Sequence, residues 1–176
     1  KIDIAKVIAG MAMDRGAEAI VTVIEPRKRN GQEPPAPVAE AMKKADVVFT
    51  PVTNSITHTH AVKNAAAEGT RLIVMTDFTE DMMIRGGLEA DFGALKPVCQ
   101  KVADAFAKGN RITLTTPAGT HLEIDITGRR GNALYCIVEP GEFSTAPTVE
   151  ANVSPIEGSA NGKLVVNASI PYIGIG

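Results

Sequence analysis

At Gly109-Asn110 the spacing of apolar residues changes from helical to alternating, and this change limits what the chain can fold into. Before it, amphipathic segments alternate with short apolar runs, the pattern of an α/β fold in which helices cover a parallel sheet. After it, Ile112 and Leu114, then Leu122, Ile124 and Ile126, alternate with polar residues across the turn Pro117-Ala118-Gly119-Thr120. That is the period-two signature of a half-buried hairpin. The expected class is α/β: a doubly wound parallel sheet over residues 1–110, followed over 111–176 by the start of a β-rich α+β catalytic domain, incomplete at its carboxyl end.

Within the first part, Ile4, Val7, Ile8 and Met11 mark one face of a helix over 2–15 that Gly16 closes. Ala19-Ile20-Val21-Thr22-Val23-Ile24 reads as a buried parallel strand. A Pro- and charge-rich loop over 25–37 follows. The sequence then predicts a helix over 38–45, a strand over 46–50, a helix over 57–68 ended by Gly69, and a strand over 71–75. A short helical turn over 80–85 precedes a longer helix over 92–108, with Pro97 early in it. In the second part, further strands are expected over 133–138 and 163–168, the latter introduced by a turn at Asn161-Gly162. The apolar terminal stretch 169–176 is expected to need cover from residues beyond Gly176, and the absence of a Met at Lys1 is read as a missing amino terminus.

Composition narrows the function. With 44% hydrophobic residues in 176, the chain has enough apolar side chains for a core. A net charge of −2, no Trp and two Tyr give neither an electrostatic footprint nor stacking platforms for nucleic acid, so no nucleic-acid partner is expected. No apolar run is long enough to span a membrane. Two isolated cysteines, Cys99 and Cys136, point to a reducing cytoplasm rather than a disulfide framework.

Nucleotide-binding, zincin and hydrolase-elbow motifs are absent. Thr57-His58-Thr59-His60 places two histidines after a strand, where a metal could be held, but capping of the following helix by Ser55 or Thr57 explains the segment as well. His121 reads as a cross-strand surface residue, and Cys136 as a small buried hydrophobe. More informative is Pro140-Gly141-Glu142-Phe143-Ser144-Thr145-Ala146-Pro147, where a carboxylate sits on backbone too rich in Gly and Pro for a helix. Glu142, with Glu150 and Glu157 after it, forms an acidic set able in principle to hold a divalent metal that activates water or polarises a carbonyl. Each of the three is equally readable as a solvated charge.

Thr115-Thr116-Pro117-Ala118-Gly119-Thr120 resembles the "TxPAGTDL" hairpin of aminopeptidase-T-type metalloaminopeptidases, and is similar to that of 2,5-dihydroxypyridine 5,6-dioxygenase-like proteins. Gly141 to Pro147 resembles the "EExFTAP" metal motif, with Glu142 at the ligand glutamate and Gly141 in place of a first one. Ser55-Ile56-Thr57-His58-Thr59 resembles an amino-terminal "SLSHT" stretch, and 161–169 the strand that follows the metal motif. His121 stands where the hairpin has Asp.

The resemblance implies a metalloenzyme whose remaining ligands lie downstream, acting on a peptide or small-molecule substrate, and commonly a homodimer. Two activities are implied. One is an aminopeptidase using Zn, Co or Mn, with Glu142 as a metal ligand. The other is an Fe(II) ring-cleaving dioxygenase for a dihydroxypyridine, to which the segment 157–162 is similar. A truncated, non-catalytic or dimerising module is the third reading.

Overall fold

The computed structural model describes residues 1–170, 174 and 175. The expectation about cover for 169–176 therefore falls largely outside the described residues. In chain order come α1 (Ile2–Met13), α2 (Ala36–Met42), β1 (Val47–Val52), α3 (His60–Ala67), β2 (Arg71–Thr76), α4 (Glu80–Ile84) and α5 (Phe92–Lys108). The strands β3 (Arg111–Thr115), β4 (His121–Asp125), β5 (Gly131–Leu134), β6 (Phe143–Thr145), β7 (Glu150–Val153) and β8 (Asn161–Lys163) follow. The chain divides into two compact units, Lys1–Lys96 with Leu134–Val149, and Pro97–Ala133 with Glu150–Gly176. The chain returns to the first unit at Leu134 and there supplies β6.

The first unit is an α/β fold around a parallel sheet of order β1-β2-β6. Alternate residues of β2 face opposite ways. Leu72 and Val74 join Met42, Ile56, Ala61, Val62, Ala65 and Ala66 from α2, α3 and the loop between β1 and α3. Ile73 and Met75 join Ile4 of α1, Phe78 and Ala146, with Met82 and Met83 of α4 packed against them. Helices thus cover both faces, which is why β2 is a continuous apolar run. Helix α3 is capped by Thr59, whose Oγ1 accepts from the Val62 amide, and not by Ser55 or Thr57. It ends at Gly69, whose φ of +98° lets the Gly69 and Thr70 amides return to Ala66 and Ala65.

One expected strand is not formed. Ala19–Ile24 joins no sheet, and Ile20 and Val23 are 86% and 61% exposed. The ladder shows which residues of β1 are left for a further strand. Arg71 N–H donates to Asp46 O and Asp77 N–H to Val52 O, so the even-numbered residues of β1 face β2. The odd-numbered ones, including Pro51, face the outer edge. Pro51 therefore costs the β1–β2 pairing nothing and removes a donor from the outer edge, the usual position of proline in a sheet. Only Val47 and Phe49 offer N–H groups to a further strand there.

In the second unit β3, β4 and β8 form an antiparallel sheet, with Ile112 opposite Ile124 and Leu114 opposite Leu122, as the alternation predicts. Asn161-Gly162 is not a turn. It lies in β8, with Gly162 opposite Leu122, and the preceding turn is at Glu157-Gly158. The strand expected over 133–138 is shorter and earlier, as β5, which pairs with β7.

Candidate functional site

In open α/β sheets ligands sit at the carboxyl ends of the strands. In the first unit that edge is formed where β1 runs into 53–59 and where β2 ends at Asp77, a non-glycine residue at φ +49°. Asp77 pairs with Lys1 at 3.3 Å, and the same ammonium donates to Phe78 O. Thr50 and Thr76 lie on the face that carries Val74, and the hydroxyl oxygen of each is buried without a hydrogen-bond partner.

The loop after β1 is closely bonded. Ser55 Oγ is 2.8 Å from Thr57 Oγ1 and accepts from the Thr57 amide, while Thr59 Oγ1 donates to Ile56 O at 2.6 Å. His58 and His60 are both exposed. The His60 amide, with that of Ala61, donates to the carboxylate of Glu33. Glu33 went unread in the sequence because its partners lie 27 and 28 residues away and no local motif marks the contact.

Glu142 lies at the opposite edge. Its register, one residue before the pair Phe143–Leu72, puts it at the amino end of β6. Its carboxylate accepts from the Glu139 amide at 3.0 Å, its amide donates to Glu139 O, and its carbonyl accepts from Leu72 N–H. These bonds close the turn at Gly141 (φ +87°) that starts β6. The other two glutamates belong to the second unit and are also engaged locally. Glu150 accepts from Asn152 Nδ2, and Glu157 pairs with Arg129 at 2.6 Å.

Glu157's own backbone N–H, and after it the Arg129 guanidinium, hold its carboxyl below the usual glutamate range. A lowered folded value means these contacts add stability above the ordinary glutamate pKa, and the contribution is lost as pH falls through the lowered value. Carboxyl NMR titration is expected to give Glu157 a lower midpoint in the wild type than in Arg129→Ala. Equal midpoints would show that the guanidinium does not contribute.

Cys136, at φ +60°, is not on a strand; it packs beside the cluster of Ile4 and Phe78, and its amide donates to Ser144 Oγ. Burial pushes its thiol pKa up, which disfavours the reactive thiolate. His121 is exposed and lies opposite Thr115 and Lys163, as a cross-strand residue.

Among the described residues no three His, Cys, Asp or Glu side chains are grouped so as to hold a metal ion. Also among the described residues, no helix is long and apolar enough to cross a membrane.

A solved structure, the 2,5-dihydroxypyridine dioxygenase from Pseudomonas putida KT2440, aligns with 72% of the chain at a TM-score of 0.59 and 19% identity. The chain spans only 35% of that protein's length. No curated protein matches. The family model for NicX, 2,5-dihydroxypyridine 5,6-dioxygenase, matches residues 10–170. Of the two families that the sequence resembles, the comparisons carry the dioxygenase and not the aminopeptidase. With nearly its whole length matched, the chain belongs to the 2,5-dihydroxypyridine 5,6-dioxygenase family.

Proposed function

We propose that the protein is a non-haem Fe(II) ring-cleaving dioxygenase acting on a dihydroxypyridine-type substrate. The family match over residues 10–170 carries this reading. Non-haem iron oxygenases hold Fe(II) by two His and one carboxylate on one face, leaving positions open for other ligands. The described residues do not fit that requirement. His58 and His60 are exposed, Glu142 closes its own turn, and no group of three ligands forms.

The test uses the intact protein loaded anaerobically with Fe(II). On mixing with 2,5-dihydroxypyridine and oxygenated buffer, O₂ uptake in proportion to loss of the aromatic absorbance is expected. No uptake at full iron loading, or metal-dependent release of aniline from an aminoacyl anilide, would overturn the reading in favour of a non-catalytic protein or a peptidase respectively.

A further inference from the structure

The segment between the unpaired run Ala19–Ile24 and the buried Pro34 crosses the carboxyl end of β1 and is hydrogen-bonded to it. Arg27 O accepts from Asn54 Nδ2 at 2.6 Å, Asn30 Oδ1 accepts from Ser55 N–H at 2.7 Å, and Gly31 N–H donates to Ser55 O at 2.8 Å. Glu33 accepts from His60 N–H at 2.7 Å and from Ala61 N–H at 3.1 Å, one bond to each carboxylate oxygen. Within the strap, Lys28 N–H donates to Gln32 Oε1 and the Arg27 guanidinium to Glu25 O. No side chain of residues 25–33 is buried. Low apolar burial and exposed hydrogen bonds are the marks of a segment that opens below the global unfolding free energy.

We propose that residues 25–33 form a strap gating the carboxyl end of β1, with Glu33 as its latch. The His60 and Ala61 amides are among the first in α3, where no carbonyl of the helix can serve them. Glu33 takes both with a negative charge at the positive end of the helix, so its bonds are the stronger, charge-assisted kind. The bonds from Asn54 Nδ2 to Arg27 O, from Ser55 N–H to Asn30 Oδ1 and from Gly31 N–H to Ser55 O are neutral. On the upstream side Ala19–Ile24 offers no sheet pairing to resist opening, and on the downstream side Pro34 and Pro35 anchor the strap at the start of α2. Opening would uncover the loop from Asn54 to Thr59 and the start of α3, at the sheet edge where ligands of such folds are bound.

Native-state hydrogen exchange and limited trypsin digestion of the intact protein test it. In the wild type the amides of Gly31, Ser55, His60 and Ala61 are expected to exchange together, faster than those of Ala65 and Ala66 in the buried turn of α3. In Glu33→Ala all four should exchange about tenfold faster or more, and cleavage after Arg27, Lys28 and Arg29 should accelerate by a similar factor. Glu33→Gln, which keeps an acceptor and loses the charge, should lie between. If only His60 and Ala61 respond while Gly31, Ser55 and the tryptic sites do not, Glu33 is a local cap and the strap is not a gate. If either variant fails to fold, the wild-type pattern decides alone, and dispersed exchange rates across the four amides would overturn the proposal.

Discussion

Gly162→Ala is expected to cost the second unit roughly 3–5 kcal/mol and to detach β8 from β4. Two effects add. The φ of Gly162 is +123°, a conformation that an L side chain adopts only with strain. A Cβ built there would also lie 2.1 Å from His121 O and 3.1 Å from Leu122 Cα. Both are backbone atoms in the middle of the β4–β8 pairing, so no rotamer change relieves the overlap, and the strand itself must shift. Gly158→Ala is the control. It has φ +76° and nothing within 4 Å of the added carbon, so it should show strain alone, about 1 kcal/mol. Denaturant unfolding of both variants, followed with a probe in the second unit, separates the terms. A Gly162→Ala protein within 1 kcal/mol of wild type would mean that β8 does not hold this position in solution.

Gly162 also shows where the sequence can and cannot be read. Asn-Gly between apolar runs predicts a turn because both residues tolerate positive φ. Here the same tolerance serves a close strand-to-strand approach instead, and nothing within a few residues distinguishes the two uses. The 111–125 hairpin was legible because its register follows from alternation and its turn is local. The helix over 92–108 was legible to its ends for a similar reason. Ala19–Ile24 has every local mark of a strand, but pairing depends on the free edge of β1, and a proline more than 25 residues away removes one of its donors.

The candidate site was less legible than the fold. The sequence marks Glu142 as a carboxylate on irregular backbone, and in the fold its contacts are the local bonds to Glu139. What the local sequence could not convey is which end of the sheet the segment would reach. Because 143–145 enters as a parallel strand beside β2, Glu142 falls at the amino edge, and the carboxyl edge is occupied by Asp77, Ser55 and the Glu33 contact. Long-range pairing set this arrangement, and no motif in 140–147 encodes it.

Phe78→Ala is expected to destabilise the first unit by about 3–5 kcal/mol, the usual cost of deleting a fully buried aromatic side chain. Phe78 falls between the expected strand over 71–75 and the helical turn over 80–85, in a stretch that sequence alone reads as a loop. In the fold it is fully buried, among Ile4, Ile73, Met75 and Ala146, with Met82 and Met83 packed against the same cluster. It therefore joins α1, β2, α4 and the end of β6 through one side chain, and truncation leaves a cavity that four separate segments would have to move to fill. The backbone is fixed as well, since Phe78 O accepts from Lys1 Nζ and the preceding Asp77 is held in the left-handed region. Loss of the ring should thus loosen the carboxyl end of β2 as well as lower stability, and hydrogen exchange at the Asp77 amide reports that separately. Phe49→Ala gives the comparison: Phe49 is 46% exposed on the edge strand, so its truncation should cost about 1 kcal/mol. Denaturant midpoints in which Phe49→Ala is the more damaging change would mean that the core of the first unit lies against β1, and not around the residue that follows β2.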